Sequence, residues 1–158
     1  MDDSRQDFKY RNTNRVDIAH IKATEFLKKN KIFYKEIGFD SKNDKIPFEK
    51  WFKVPSFIRN LPDMFVITNR FSFLEIKGCK NTVKIKFEDY INYVKWDSIA
   101  PLMFFIYSTT KDKMYLLHMK NIDYLYRDSD QGIYKDNNKR YFEIDLNNMK
   151  KWEERNVD

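Results

Sequence analysis

Asp63, Glu75 and Lys77 are the residues of this 158-residue chain whose types and spacing best fit a chemistry. Each borders or interrupts an apolar run: Asp63 precedes Met64-Phe65-Val66-Ile67, and Glu75 and Lys77 follow Phe71-Ser72-Phe73-Leu74. A buried strand carries charge only when the charge is paired, bound to metal or functional. Glu75 and Lys77 are two apart, so on a strand they point to the same face. Asp63 begins the neighbouring strand and can approach that face. Two carboxylates meeting at a strand end suit a hard divalent cation such as Mg²⁺. A lysine beside them can orient a water or stabilise charge developing on a phosphate. The plainer reading is a buried ion pair, Lys77 with Asp63 or Glu75, closing a hairpin end. That reading has no use for the second carboxylate.

The elements that must position these groups are two apolar, antiparallel strands joined at Asn69-Arg70, buried on both faces. Register decides the matter. A two-residue loop would pair Thr68 with Phe71 and Asp63 with Ile76, sending Asp63 to the wrong face. A three-residue loop pairing Thr68 with Ser72 would set Asp63 opposite Lys77, and all three charges would share a face. A shared site therefore requires an odd-length loop, a bulge, or a bend at Asp63.

Pro62-Asp63, followed after eleven intervening residues by Glu75-Ile76-Lys77, resembles the signature of the PD-(D/E)XK nuclease superfamily. The resemblance implies an α/β fold with a restriction-endonuclease-like core, a mixed β-sheet flanked by helices. It implies that Asp63, Glu75 and the Ile76 backbone carbonyl hold Mg²⁺ or Mn²⁺, and that Lys77 positions or activates the attacking water. The activity implied is phosphodiester hydrolysis in DNA, by an endonuclease rather than an exonuclease. RNA stays open as the polymer.

The subgroup most similar is the small Holliday-junction-resolvase-like one, which would imply branched DNA and a homodimer. In that branch the first helix carries a Glu in the setting Glu-x-x-Ala-x-x-aromatic-Leu. Here the matching stretch runs from His20 to Leu27, so His20 stands where the Glu would be. Asp17, one turn earlier, is an accessory candidate with His20, and Glu36 is a third. An ordinary surface pair is the competing reading of Asp17 and His20. Many relatives carry a Gln or Lys on the helix after the core strands; residues 87–97 contain no Gln.

The remaining chain reads as follows. A helix runs from 12–14 to about 30, with Val16, Ala19, Ala23, Phe26 and Leu27 inward and Glu25 solvated. Residues 31–39 form a strand, and a short helix starts at Pro47. Among 45–59 the aromatics cover the sheet edge while the basic residues face solvent or nucleic acid. Gly78 to Asn81 reads as a loop and 82–87 as a strand. A helix over 87–97 turns Tyr90, Ile91 and Val94 inward. Strands follow at 101–108 and 114–119, with His118 a core or edge histidine. A short helix around Ile122 comes next, then a turn at Asp128 to Gly132. A hairpin around 136–138 and a last helix with Met149 and Trp152 complete the chain. Lys80, Lys84 and Lys86 are candidate phosphate contacts, with a solvated lysine face as the alternative.

Length and composition fit a single domain over 1–158, with a core at about 16–119 and a hairpin and helix in 120–158. The net charge of +6 favours a polyanionic partner. One cysteine excludes an internal disulfide, and two histidines offer no zinc cluster. No apolar stretch has transmembrane length and the N-terminus is unlike a signal peptide, so the expectation is an intracellular protein with no membrane partner. Two other functions compete with the nuclease: a nucleic-acid-binding protein without cleavage, and an interaction or inhibitor protein on the same fold.

Overall fold

The structure, a computed structural model, describes residues 18–38 and 46–152. A helix over 18–29 (α1) leads to β1 (Phe33–Glu36), two single-turn helices α2 (Phe48–Trp51) and α3 (Ser56–Arg59), then β2 (Met64–Ile67), β3 (Phe71–Cys79) and β4 (Thr82–Lys86). The long helix α4 (Phe87–Ile99) precedes β5 (Leu102–Ser108) and β6 (Lys113–His118). Helix α5 (Met119–Arg127), β7 (Asp130–Ile133), β8 (Arg140–Asp145) and a 3-10 helix (Leu146–Trp152) complete it.

The expected mixed α/β architecture is present: a five-stranded mixed sheet, order β1-β2-β3-β5-β6, flanked by helices. The apolar runs of β3 and β5 occupy its middle, where both faces are covered. They pair in parallel, Glu75 beside Phe104 and Lys77 beside Ile106. A parallel pair needs a long crossover, and residues 80–101 supply it. The other neighbouring pairs in this sheet are antiparallel.

Each face of the sheet has its own core. On one, Ala19, Ala23 and Leu27 bring α1 close to Met64, Val66, Leu74, Ile76 and Phe105. On the other, α4, α5 and the 3-10 helix contribute to a cluster containing Phe73, Tyr93, Phe104, Ile106, Ile122, Phe142 and Met149. Each such large side chain, once buried, stabilises by about 1.5–3 kcal/mol. No described helix is long and apolar enough to cross a membrane.

Several sequence expectations need correction. Gly78 and Cys79 are not loop but the last residues of β3, paired with Tyr107 and Ser108; only Lys80 and Asn81 turn the chain. Strand β4 leaves the main sheet for a second one, β4-β8-β7. Asp130 to Gly132 are β7 rather than turn, paired with Glu143 to Tyr141. Strand β1 is shorter than 31–39, and Phe39 lies outside the described residues. Helix α4 is rotated from the expected orientation: Ile91 and Val94 are 55% and 45% exposed, while Asn92 and Tyr93 are buried. The cause is polar. Asn92 bonds Ser56 of α3, and Tyr93 bonds a carboxylate of β3, so the helix turns its hydrogen-bonding residues inward.

Candidate active site

The β2–β3 connection sets the geometry. Ile67 pairs with Phe71 and Met64 with Leu74, leaving the three residues Thr68, Asn69 and Arg70 as the loop. The Thr68 N–H donates to the Arg70 carbonyl at 3.1 Å. The loop is odd in length, one of the devices a shared face requires. The register differs by two residues from the three-residue pairing expected above, so Asp63, one residue before β2, falls opposite Glu75 rather than Lys77. The face is the same, because a two-residue shift preserves it. Asp63 also stands at a bend.

Asp63 is anchored from both sides. Its carbonyl accepts the N–H groups of Ile37 and Gly38, each at 3.0 Å. Gly38 passes so close that a Cβ there would lie 3.1 Å from the Asp63 Cα and 3.4 Å from its Oδ1. The Asp63 Oδ2 accepts the N–H of Ile76 at 2.7 Å. The same register continued brings Pro62 opposite Ile76. Proline has no N–H to give to the Ile76 carbonyl, so the ladder cannot continue and the Asp63 carboxylate takes over its accepting half. Within an antiparallel ladder a residue's N–H and C=O point to the same side. The Ile76 carbonyl therefore lies at the edge where Asp63 is held.

Glu75 is 7% exposed. Its Oε1 accepts from Lys77 Nζ at 2.7 Å and from the Tyr93 hydroxyl at 2.6 Å. The Lys77 Nζ also donates to the Tyr93 oxygen at 2.8 Å, and the Lys77 side chain is 26% exposed. An edge-on contact with Phe104, 5.3 Å between centroids, orients the Tyr93 ring. Burial would lower the pKa of Lys77, but the charges of Glu75, Tyr93 and Asp89 outweigh it and hold the pKa well above the ordinary value. Burial and the Glu75 charge push the Tyr93 phenol well up. At neutral pH the lysine is an ammonium and the tyrosine a protonated donor.

Asp89 lies one turn before Tyr93 on α4. Burial raises its pKa against the pull of Lys77 and Lys86. A carboxyl with a raised native pKa costs stability where it is ionised, above its native value. We expect Asp89→Asn to melt higher than the wild type at pH 7, with the difference vanishing below the ordinary aspartate pKa, about 3.9. Thermal melts at the two pH values check this; a lower melting point at pH 7 would refute it.

The other candidates lie elsewhere. His20 and Glu36 meet each other, Nε2 to Oε1 at 2.9 Å, in an exposed pair. Glu36 pairs with Met64 and so shares the α1 face, away from Glu75 and Lys77. Asp17 lies outside the described residues. Lys84 and Lys86 are on the outer face of β4, with Nζ 4.7 Å from the Tyr141 ring centroid and 5.8 Å from that of Tyr134; of these lysines the half-buried Lys86 is the one near the site, close enough for its charge to act on Asp89, and Lys80 is in the exposed turn before β4. Phe57 stacks on Trp96 at 4.2 Å, as an aromatic covering the sheet would, whereas Phe52 is exposed. Glu25 is solvated and pairs with Lys22. Tyr93 and Asp89 are the participants that sequence reasoning missed. Their four-residue spacing on α4 was the available signal.

No protein-family model matches the chain, and no curated protein matches it significantly. A solved structure described as a nuclease from a fusselovirus is similar at 12% identity with a TM-score of 0.43, over 88% of this chain and 82% of that one. At those values the likeness carries no functional weight.

Proposed function

We propose that the chain is a metal-dependent nuclease that hydrolyses phosphodiester bonds, with Asp63, Glu75 and Lys77 as its working residues and DNA as its polymer. The observation that carries this reading is the odd-length loop, which aligns Asp63 with Glu75 on the face that holds Lys77. The donors suit Mg²⁺ or Mn²⁺: two carboxylates, with the Ile76 carbonyl at the edge that Pro62 leaves without a donor. Among the described residues no three His, Cys, Asp or Glu side chains are grouped to hold a metal ion. A small hard cation that keeps most of its waters needs only one or two carboxylates.

When bound, the metal would neutralise charge on the phosphate and make its water a better nucleophile. Asp63 and Glu75 would hold it. Lys77 is charged, so it acts as a donor that orients the attacking water and offsets charge on the phosphate, not as a base. Tyr93 keeps Glu75 and Lys77 aligned. A second reading, binding without cleavage, draws on the Glu75–Lys77–Tyr93 contacts, which also fit a structural ion pair.

One experiment separates them: labelled duplex, single-stranded and four-way-junction DNA incubated with Mg²⁺ and with EDTA. Metal-dependent cleavage is expected. Binding without cleavage favours the second reading, and neither outcome leaves an interaction protein. Lys80, Lys84 and Lys86 are the proposed phosphate contacts. Lys84→Gln should reduce the log–log salt slope of binding by about one unit. An unchanged slope would make these lysines a solvated face.

A further inference from the structure

Helix α1 covers the face of the sheet opposite Glu75 and Lys77, and its cover thins toward the edge strand β6. Leu116 and His118 on the α1 face are half-buried, while Tyr115 and Leu117 on the other face are fully buried. Between α1, the sheet and the β2–β3 loop lies a cavity of about 200 Å³. Strand pairing supplies its floor: His118 stands beside Met103 and Leu74 in one row, and Leu116 beside Phe105 in the next. The Phe26 ring of α1 forms a wall, tilted against Phe105 with centroids 5.9 Å apart. An apolar cavity of about 150 Å³ takes a molecule the size of benzene. This one has room for a ring and a small head.

The polar groups gather at the end of the cavity beneath the loop. Arg70, Ser72 and His118 line it there. Ser72 is 7% exposed, and among the described residues its hydroxyl has no hydrogen-bond partner. A buried hydroxyl without a partner is destabilising, and a ligand oxygen can accept from it. Arg70 is exposed and, among the described residues, is in no ion pair. Burial and the charges of Lys120 and Arg70 lower the His118 pKa against the pull of Asp97, so the imidazole is neutral at neutral pH. No acidic side chain lines the cavity. A gap left by imperfect packing is apolar throughout. An apolar floor with a few convergent polar groups is the make-up of a small-molecule site, and here the only charge is positive.

We infer that this cavity binds a small amphipathic anion. Its apolar body lies against Leu74, Phe105 and Leu116, and its carboxylate-like head accepts from Arg70 and Ser72. The inference does not depend on the nuclease reading, because the cavity lies across the sheet from Glu75.

The test is calorimetric titration of the full chain with phenylacetate and, at the same salt, with its neutral amide, phenylacetamide. One phenylacetate per chain is expected, held about 10-fold more tightly than the amide. Arg70→Gln changes an exposed loop side chain and should remove that advantage, leaving the amide unaffected. Leu116→Trp fills the floor and should abolish binding of both, with a thermal melt confirming that the variant folds. Failure to saturate with phenylacetate would overturn the inference. So would equal affinity for acid and amide, wild-type affinity in Arg70→Gln, or binding unchanged in a folded Leu116→Trp. A dimer in sedimentation that Leu116→Trp dissociates would give the cavity to a second copy of the chain and overturn it as well. If Leu116→Trp does not fold, the amide comparison and Arg70→Gln still decide.

Discussion

Lys77→Ala is expected to slow cleavage by about 100- to 10,000-fold while the protein stays folded. In the native site the ammonium lies between Glu75 Oε1 and the Tyr93 hydroxyl and reaches solvent with a quarter of its side chain. Its removal takes the only cation in hydrogen-bond contact with Glu75 among the described residues. Tyr93 still donates to Glu75, so the carboxylate keeps one partner. Glu75 nonetheless loses its counter-charge in a buried site, so the stability cost is about 3–5 kcal/mol, within the 5–15 kcal/mol of a domain this size. Single-turnover cleavage with Mg²⁺, read beside a thermal melt, checks both halves. Wild-type cleavage would remove Lys77 from the mechanism. A variant that fails to fold would favour the structural ion pair.

Glu75→Gln breaks the same pair from the other side and should cost the fold a similar amount. The amide oxygen can still accept from Tyr93, but Lys77 loses its counter-charge in a site that is mostly buried. Breaking one partner of a buried pair costs about 3–5 kcal/mol. The pH dependence identifies the cause. In the wild type the native pKa of Lys77 is raised, so its contribution is fully present below the ordinary lysine value, about 10.4, and is lost as pH rises through the native value. Without Glu75 the largest influence raising the pKa is gone and only Tyr93 and Asp89 oppose burial, so the native pKa falls from its wild-type value. Deprotonation then relieves the unpaired charge, so the deficit of the variant should narrow at high pH. Denaturant unfolding at pH 7 and near pH 10 measures it. An equal deficit at both would mean that the charge is not the source. Cleavage at the wild-type rate would take Glu75 out of metal binding.

The apolar runs announced β2, β3 and β5, because strands buried on both faces carry little else. Alternation announced β4, and the alanine-lined stripe announced α1. Glu75 and Lys77 had to share a face, since their two-residue spacing is a property of any strand. Local letters could not say more. The partner of β4 is more than fifty residues away in β8, and nothing in Thr82 to Lys86 encodes it. The orientation of α4 was misread because Ile91 and Val94 outrank Tyr93 and Asn92 in hydrophobicity. The buried carboxylate of Glu75 and the hydroxyl of Ser56, supplied by distant segments, turn the helix the other way. Asp63 is the sharpest case. Its type and its proline neighbour were legible, but its face depended on whether two or three residues turned the chain at Asn69. Chain geometry allows both. Packing Met64, Val66, Leu74 and Ile76 together against α1 selects the register that aligns Asp63 with Glu75.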